Sequence, residues 1–304
     1  MTNGLKKKSV SQTFNTIKSL NENSKLSINL LCKIASVSKS GYYSWLNRKL
    51  SEKEIDIINL IKQQYWEKQG KSGYRRITMD LRRKLKLVIN HKKVQRIMRE
   101  YGLKAIIRKN NNCKNHVKAQ RKSENWTIAP NTLNGDFSSY QTGKIYSTDV
   151  TYLKLKNRKT YFLSAIKDLS SGEISAYSIS DKHDINLILD TINQLTEISD
   201  NCIIHSDRGA LYSSFRYIQK LREKGITRSM SEAGKPTQNA PIESFFGHLK
   251  DEVDYKKCNN FSELKDKIDN YVYYYNTSRY QWNKKMLTPI EVKEYLLSYN
   301  SCPF

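Results

Sequence analysis

Three acidic residues stand where packing alone does not account for an acid. Asp149 lies in the middle of GKIYSTDVTYLKL, a segment that reads as a β-strand, where a packing residue is expected. A lone strand acid is ordinarily an exposed-face residue, so Asp149 by itself carries no chemistry. Asp207 ends the strand-like CIIHSD and is followed by Arg208–Gly209. That places its carboxylate at the C-terminal edge of a sheet, where ligands and catalytic groups collect in open α/β folds. Glu243 belongs to NAPIESFFGHLKDEV, a predicted helix with Asn239 at the N-cap and Pro241 in the first turn. Ile242, Phe246, Leu249 and Val253 form its apolar stripe, and Glu243 and Lys250, seven residues apart, share an adjacent stripe. Gly247 between them has no side chain, which leaves room for a ligand to approach.

The stretches S-T-D-V-T-Y around Asp149, H-S-D-R-G-A-L-Y around Asp207 and N-A-P-I-E-S-F-F-G-H-L-K-D-E around Glu243 together resemble the three acid motifs of the insertion-sequence transposases. Those proteins belong to the retroviral-integrase (DDE) superfamily, and the likeness is to their second-reading-frame (OrfB) product. Thirty-five residues separate Asp207 from Glu243, which is that family's spacing, and Lys250 occupies its basic position seven after the glutamate. The resemblance extends to L-C-K-I-A-S-V-S-K-S-G-Y-Y-S-W-L, to G-Y-R-R-I and to Y-Y-N-T-S-R near Tyr274–Arg279, so it covers nearly the whole chain. Gln238 departs from the pattern, which has an acid at that position.

The resemblance implies an RNase H-like core and a DNA transposase. Such an enzyme binds terminal inverted repeats, cuts a strand to free a 3′-OH and transfers it to another phosphodiester. This chemistry needs a nucleophilic oxygen at neutral pH and a stabilised leaving oxygen, and two Mg²⁺ ions, or Mn²⁺ in their place, supply both. Carboxylates suit such hard cations. Asp149 is therefore expected as the shared metal ligand and catalytic residue on the central strand, with Asp207 on one ion and Glu243 on the other. A strand is a suitable place for Asp149 because a metal site is best held on rigid elements. Lys250 is expected to contact DNA near the scissile phosphate, the alternative being an ion pair with Asp254. His205, two before the second acid, is expected to orient DNA or a water, or else to be a half-buried strand-end histidine. Asp168, in IKDLSSG, is better explained by turn capping than by catalysis.

The elements that must position these residues follow from the patterning. Strands are expected at 144–153, 160–168, 173–180, 201–207 and 225–230, with helices at 184–198, 213–224, from Asn239, and over FSELKDKIDNYVYYYNTSRY. Three antiparallel strands followed by alternating helices and strands give an α/β fold, a mixed five-stranded sheet with helices packed on it. Ahead of it the chain reads as all-α. In KLSINLLCKIASVSKSGYYSWLNRK, helical spacing of Ile28, Leu31 and Ile34, a turn at Ser36–Ser38 and a second helix with Tyr42 and Trp45 make a helix-turn-helix. A second pair follows in GYRRITMDLRRKLKL and NHKKVQRIMREYG, with Asn90 as N-cap, Val94, Ile97 and Met98 on one face and Gly102 ending the helix. Arg75, Arg76, Arg82, Arg83, Lys92, Lys93 and Arg96 fall around these apolar faces and are expected to point outward to DNA. The predicted organisation is a helix-turn-helix DNA-binding region over 1–103, a basic linker over 104–134, the catalytic core over 135–257 and a C-terminal helical extension over 258–304.

Charge supports the division. The net charge is +24, yet residues 1–130 hold 30 Lys+Arg against 8 Asp+Glu (+22), while residues 131–304 hold 23 against 21 (+2). A basic excess confined to one region points to a polyanionic partner reached through phosphate contacts. Five scattered cysteines with no C-x-x-C pair indicate reduced thiols, and no stretch has the length or apolarity of a membrane span, so a cytoplasmic protein is expected. The expected partners are transposon-end and target DNA and further copies of the chain on DNA. The resemblance adds an upstream-frame product as fusion or partner. Rival readings are a non-catalytic DNA-binding regulator, which has no need of three acids in register, and an RNase H-like nuclease, which has no evident use for so basic a region.

Overall fold

The computed structural model describes residues 10–24, 26–47, 50–107, 129–133, 141–232 and 236–300. Contacts divide the chain into two units, one up to Ile106 and one from Ile107 onward. Most of the expected linker 104–134 lies outside the described residues.

Among the described residues the first unit holds six helices: α1 (Val10–Ser24), α2 (Ile28–Ile34), α3 (Lys39–Leu46), α4 (Glu52–Glu67), α5 (Tyr74–Arg83) and α6 (His91–Glu100). Phe14, Ile17, Leu31, Cys32 and Tyr42 bury α1–α3 against one another, and Ile58, Ile61, Tyr65, Ile77, Leu81, Val94, Ile97 and Met98 do the same for α4–α6. Both expected helix pairs are present. Asn90 caps α6 by accepting from the Lys92 N–H at 2.9 Å, and Gly102 leaves the helix at φ +67°. Helices α1 and α4 complete the two clusters and had no counterpart in the sequence reading.

The second unit is a five-stranded sheet in the order β3-β2-β1-β4-β5, from β1 (Ile145–Lys154), β2 (Thr160–Asp168), β3 (Ile174–Ser180), β4 (Ile203–Ser206) and β5 (Thr227–Met230). β1–β2 and β2–β3 are antiparallel, and β1–β4 and β4–β5 are parallel, so the sheet is mixed as expected. On one face, Tyr146, Ile166, Ala176, Ile204 and Met230 pack with α7 (Ile185–Asn193) and α8 (Phe215–Glu223). On the other, Leu153, Leu163, Ala165 and Ile174 pack with Ile242, Phe245, Phe246 and Leu249 of α9 (Ala240–Glu252) and with Leu264, Ile268, Val272 and Tyr275 of α10 (Phe261–Thr277). A further helix, α11 (Pro289–Asn300), follows the expected last one.

Helix α7 ends five residues before the expected 198. Beyond it the Ser199 N–H donates to the Gly143 carbonyl at 3.1 Å and its hydroxyl to that of Thr142 at 2.8 Å, so this stretch is held as a loop against the entry to β1. Cys32, Cys202 and Cys258 are buried free thiols. Among the described residues no helix is long and apolar enough to cross a membrane.

Candidate active site

The register decides where the acids stand. Cross-strand partners share a face, and Asp149 pairs with Ala165, whose side chain is buried against α9 and α10; Asp149 therefore faces the α9 layer. The parallel ladder pairs Ser147 with His205, and two residues further along both chains stand Asp149 and Asp207. Asp207 thus leaves the end of β4 beside Asp149. Glu243 enters from the first turn of α9 and is exposed, as is Asp207, whereas Asp149 is half-buried.

Electrostatics report the convergence. Burial, then the charge of Asp207, then that of Glu243 push the Asp149 carboxyl up to about 7, against the Val150 N–H, which donates to its Oδ1 at 2.8 Å, and Lys250. Glu243 is raised by burial and by Asp207. Carboxylates that repel one another in this way form a donor set suited to a hard divalent cation, which would relieve the repulsion. As placed, no three His, Cys, Asp or Glu side chains among the described residues stand close enough to enclose an ion. The donor chemistry fits a metal, and the exposed Asp207 and Glu243 are the two side chains with room to close on it.

The surroundings correct several expectations. Asn239 precedes α9 but makes no capping hydrogen bond; its Nδ2 donates instead to the Thr148 carbonyl at 3.3 Å, and its Oδ1 is buried without a partner. His205 is fully buried, more so than a half-buried strand end, and its ring lies between the Ser229 hydroxyl at 2.9 Å and that of Ser231 at 3.0 Å. It therefore presents no surface to DNA, and burial lowers its pKa. Lys250 donates to the Thr151 hydroxyl at 2.5 Å and lies 4.6 Å from the Tyr152 ring centroid, beside Asp149. Asp168 is buried and accepts from the N–H groups of Gly143 (2.7 Å), Ser170 (2.7 Å) and Ser171 (3.0 Å) and from the Ser170 hydroxyl, which is turn capping.

One group escaped the sequence reading. Tyr212, within the quoted motif around Asp207, is buried; burial first, then Asp149, push its hydroxyl well above its ordinary value. Gln238, the departure from the family pattern, accepts from the Glu232 N–H at 2.6 Å and donates to its carboxylate at 3.1 Å, which ties Glu232 to the residue two before α9.

In the first unit Arg75, Arg82, Lys92 and Arg96 are exposed, while Arg76, Arg83 and Lys93 are half-buried, because α5 buries Ile77, Thr78, Met79, Asp80 and Leu81 on more than one side. Lys93 and Arg96 line a cleft of about 270 Å³ together with Glu54 and Glu100, so that face is mixed in charge.

Family models match both units: an HTH-like domain over residues 52–111 and an integrase core domain over residues 139–236 and 224–289. The protein named as transposase InsK for insertion sequence element IS150, from Escherichia coli strain K12, is 38% identical over 271 residues, covering 86% of this chain and 92% of that one. The chain belongs to the insertion-sequence transposases with an integrase core. A transposase-like protein of Haemophilus influenzae is 38% identical over 220 residues, covering 71% of this chain and 98% of that one. The transposase for insertion sequence element IS904 of Lactococcus lactis is 29% identical over 258 residues, covering 82% and 99%. Among solved structures, the HTLV-2 integrase catalytic core domain in complex with magnesium aligns with a TM-score of 0.40 at 21% identity, over 50% of this chain and 96% of that one. The transposase is thus a polynucleotidyl transferase of the DDE superfamily that serves DNA transposition and integration.

Proposed function

We propose that this transposase binds the terminal inverted repeats of its own element, cuts one strand at each end by hydrolysis to free a 3′-OH, and joins that 3′-OH to a target phosphodiester. The observation that carries the reading is the register that brings Asp207 off the end of β4 beside Asp149, and the charges of Asp207 and Glu243 both raise the Asp149 carboxyl.

Asp149, Asp207 and Glu243 would hold the divalent cations, two Mg²⁺ ions or Mn²⁺ in their place. When bound, the metal supplies a nucleophilic oxygen at neutral pH and stabilises charge on the leaving oxygen. Asp149 gives a fixed reference, because its backbone is held by the β2 ladder on one side and by Asn239 through Thr148. Lys250, held by Thr151 and Tyr152 beside Asp149, offers an ammonium to a DNA phosphate. The exposed Arg75, Arg82, Lys92 and Arg96 would take phosphates along the duplex, and the half-buried Arg76, Arg83 and Lys93 would support them. Bringing two element ends together calls for more than one copy of the chain on DNA.

The test is incubation of the full chain with Mg²⁺ and DNA carrying the ends of the element that encodes it, with products mapped to the nucleotide. The reading predicts 3′-OH ends at the element boundary and joined products. Cutting without preference for the ends, or cutting with no joining, would count against it.

A further inference from the structure

Three residues along β1 from Asp149, where strand alternation turns side chains to the α7 face of the sheet, stands a row of rings that the metal chemistry does not use. Tyr152, three residues after Asp149, is 64% exposed, although its neighbours Thr151 and Leu153 are buried. Its cross-strand partner on β2 is Phe162, and the Phe162 ring stacks on His183 with centroids 5.0 Å apart and an interplanar angle of 21°. His183 is exposed, in the turn that leads into α7, whose apolar residues cover the sheet further along. The row therefore continues across three adjacent segments on the surface. Packing does not explain it, since an exposed tyrosine of this size contributes little to a core.

The charges around the row complement a polyanion. Lys250 lies over the Tyr152 ring while also bearing on Asp149, which ties the row to the site. Lys154, two residues beyond Tyr152 on the same strand face, and Lys182, next to His183, are exposed, against the exposed Asp181. Flat rings flanked by cations are how proteins hold unpaired nucleic acid: the rings stack on bases of any sequence and the cations take the phosphates. A duplex offers no free base faces here. A strand being cut does, once its terminal pairs open.

We infer that Tyr152, Phe162 and His183 form a stacking platform for the one or two nucleotides that leave the duplex beside the phosphodiester to be cut, with Lys250 on the intervening phosphate. This rests on the transposition reading above and adds a base-stacking surface to it. The platform holds the opened strand by its bases, so the scissile phosphate stays over the acids whatever the end sequence.

The test compares binding of the full chain to a short duplex and to the same duplex carrying two or three unpaired thymines at one end. The wild type prefers the tailed duplex; Tyr152→Ala reduces that preference about tenfold, as expected for loss of one base–aromatic stack, and Tyr152→Trp keeps it. The preference is read as the ratio of tailed to plain duplex affinity within each variant, because Tyr152 also holds Lys250. 5-Iodouracil in the tail cross-links to Tyr152. Equal binding of both duplexes by the wild type, or an undiminished tail preference in Tyr152→Ala, overturns the platform. Strand cutting is assayed in the same preparations: a Tyr152-dependent preference with no cutting overturns the transposition reading alone, and cutting with no dependence on Tyr152 overturns the platform alone.

Discussion

The side-chain amide of Asn239 donates to the carbonyl of Thr148 at 3.3 Å, joining the residue that precedes α9 to the residue that precedes Asp149. The parallel ladder between β1 and β4 has ended one residue earlier, at Ser147 and His205, so this bond takes over where strand pairing stops. Glu243 lies four residues on, one turn into the helix. Asn239→Ala should therefore let the two acids drift apart, lowering the single-turnover cleavage rate at least about tenfold, since misplacement of about 1 Å has costs of that order or more. Duplex affinity by anisotropy should not change. An equal loss in both would make Asn239 a general folding residue.

Asp149 sets a pH dependence. Its carboxyl sits at about 7 because of burial, then Asp207, then Glu243, whereas an unfolded aspartate titrates near ~4. The protonated form is favoured in the folded state, so the stability it contributes is fully present below about pH 4 and is lost as pH rises through about 7. The metal-free protein should show a falling thermal midpoint between about pH 4 and 7, and Asp149→Asn should flatten the fall. Because bound cations require the ionised carboxylate, Mg²⁺ should release protons on binding and bind more tightly at pH 8 than at pH 6. Calorimetry in buffers of different ionisation enthalpy reads both effects.

Asp168 should behave in the opposite way. Three N–H groups and a hydroxyl converge on its buried carboxylate, so Asp168→Asn loses acceptor capacity and should cost roughly 1–3 kcal/mol in urea denaturation. Cleavage per folded molecule should stay within about threefold of wild type, since it faces Gly143 and the β2–β3 turn. A loss like that of Asp149→Asn with stability intact would return it to the chemistry.

Exposure separates the basic residues of the first unit. Arg75, Arg82, Lys92 and Arg96 are exposed, and replacing each by Ala should lower the slope of log K against log salt by about 0.9 where it meets a phosphate. Arg76 and Arg83 are half-buried and should affect the thermal midpoint more than the slope. Titrations at several salt concentrations distinguish the two classes.

Much of the core was legible because its signals are local and periodic. Strand alternation placed β1, β2 and β3 to within a residue or so, and the acid motifs lie on strand and helix as their patterns require. Helices α4 and α11 escaped although each carries a start signal. Ser51 accepts from the Glu54 N–H at 3.3 Å at the head of α4, and Thr288 and Glu291 cap one another at the head of α11, the Thr288 N–H donating to the Glu291 carboxylate at 2.8 Å. What no local pattern carries is long-range pairing. The amide of Asn239 was read as a cap and instead reaches 91 residues back to β1. His205 at a strand end suggests a group that meets DNA or a half-buried histidine, yet Ser229 of β5 and Ser231 just beyond it enclose its ring. Arg279, in the Y-Y-N-T-S-R stretch, holds Glu252 at the far end of α9 at 3.0 Å, a pairing visible only once α10 is packed.

The central claim is that Asp149, Asp207 and Glu243 act as one site for strand cleavage and transfer, apart from the basic region that holds DNA. The most direct measurement is Mg²⁺-dependent cleavage and joining of end-bearing DNA by the full chain and by Asp149→Asn, Asp207→Asn and Glu243→Gln, alongside end-binding affinity for each. The account predicts that every substitution abolishes both chemical steps while binding stays within about threefold of wild type. Near-wild-type cleavage by any one of the three, with the protein folded and bound, would contradict it.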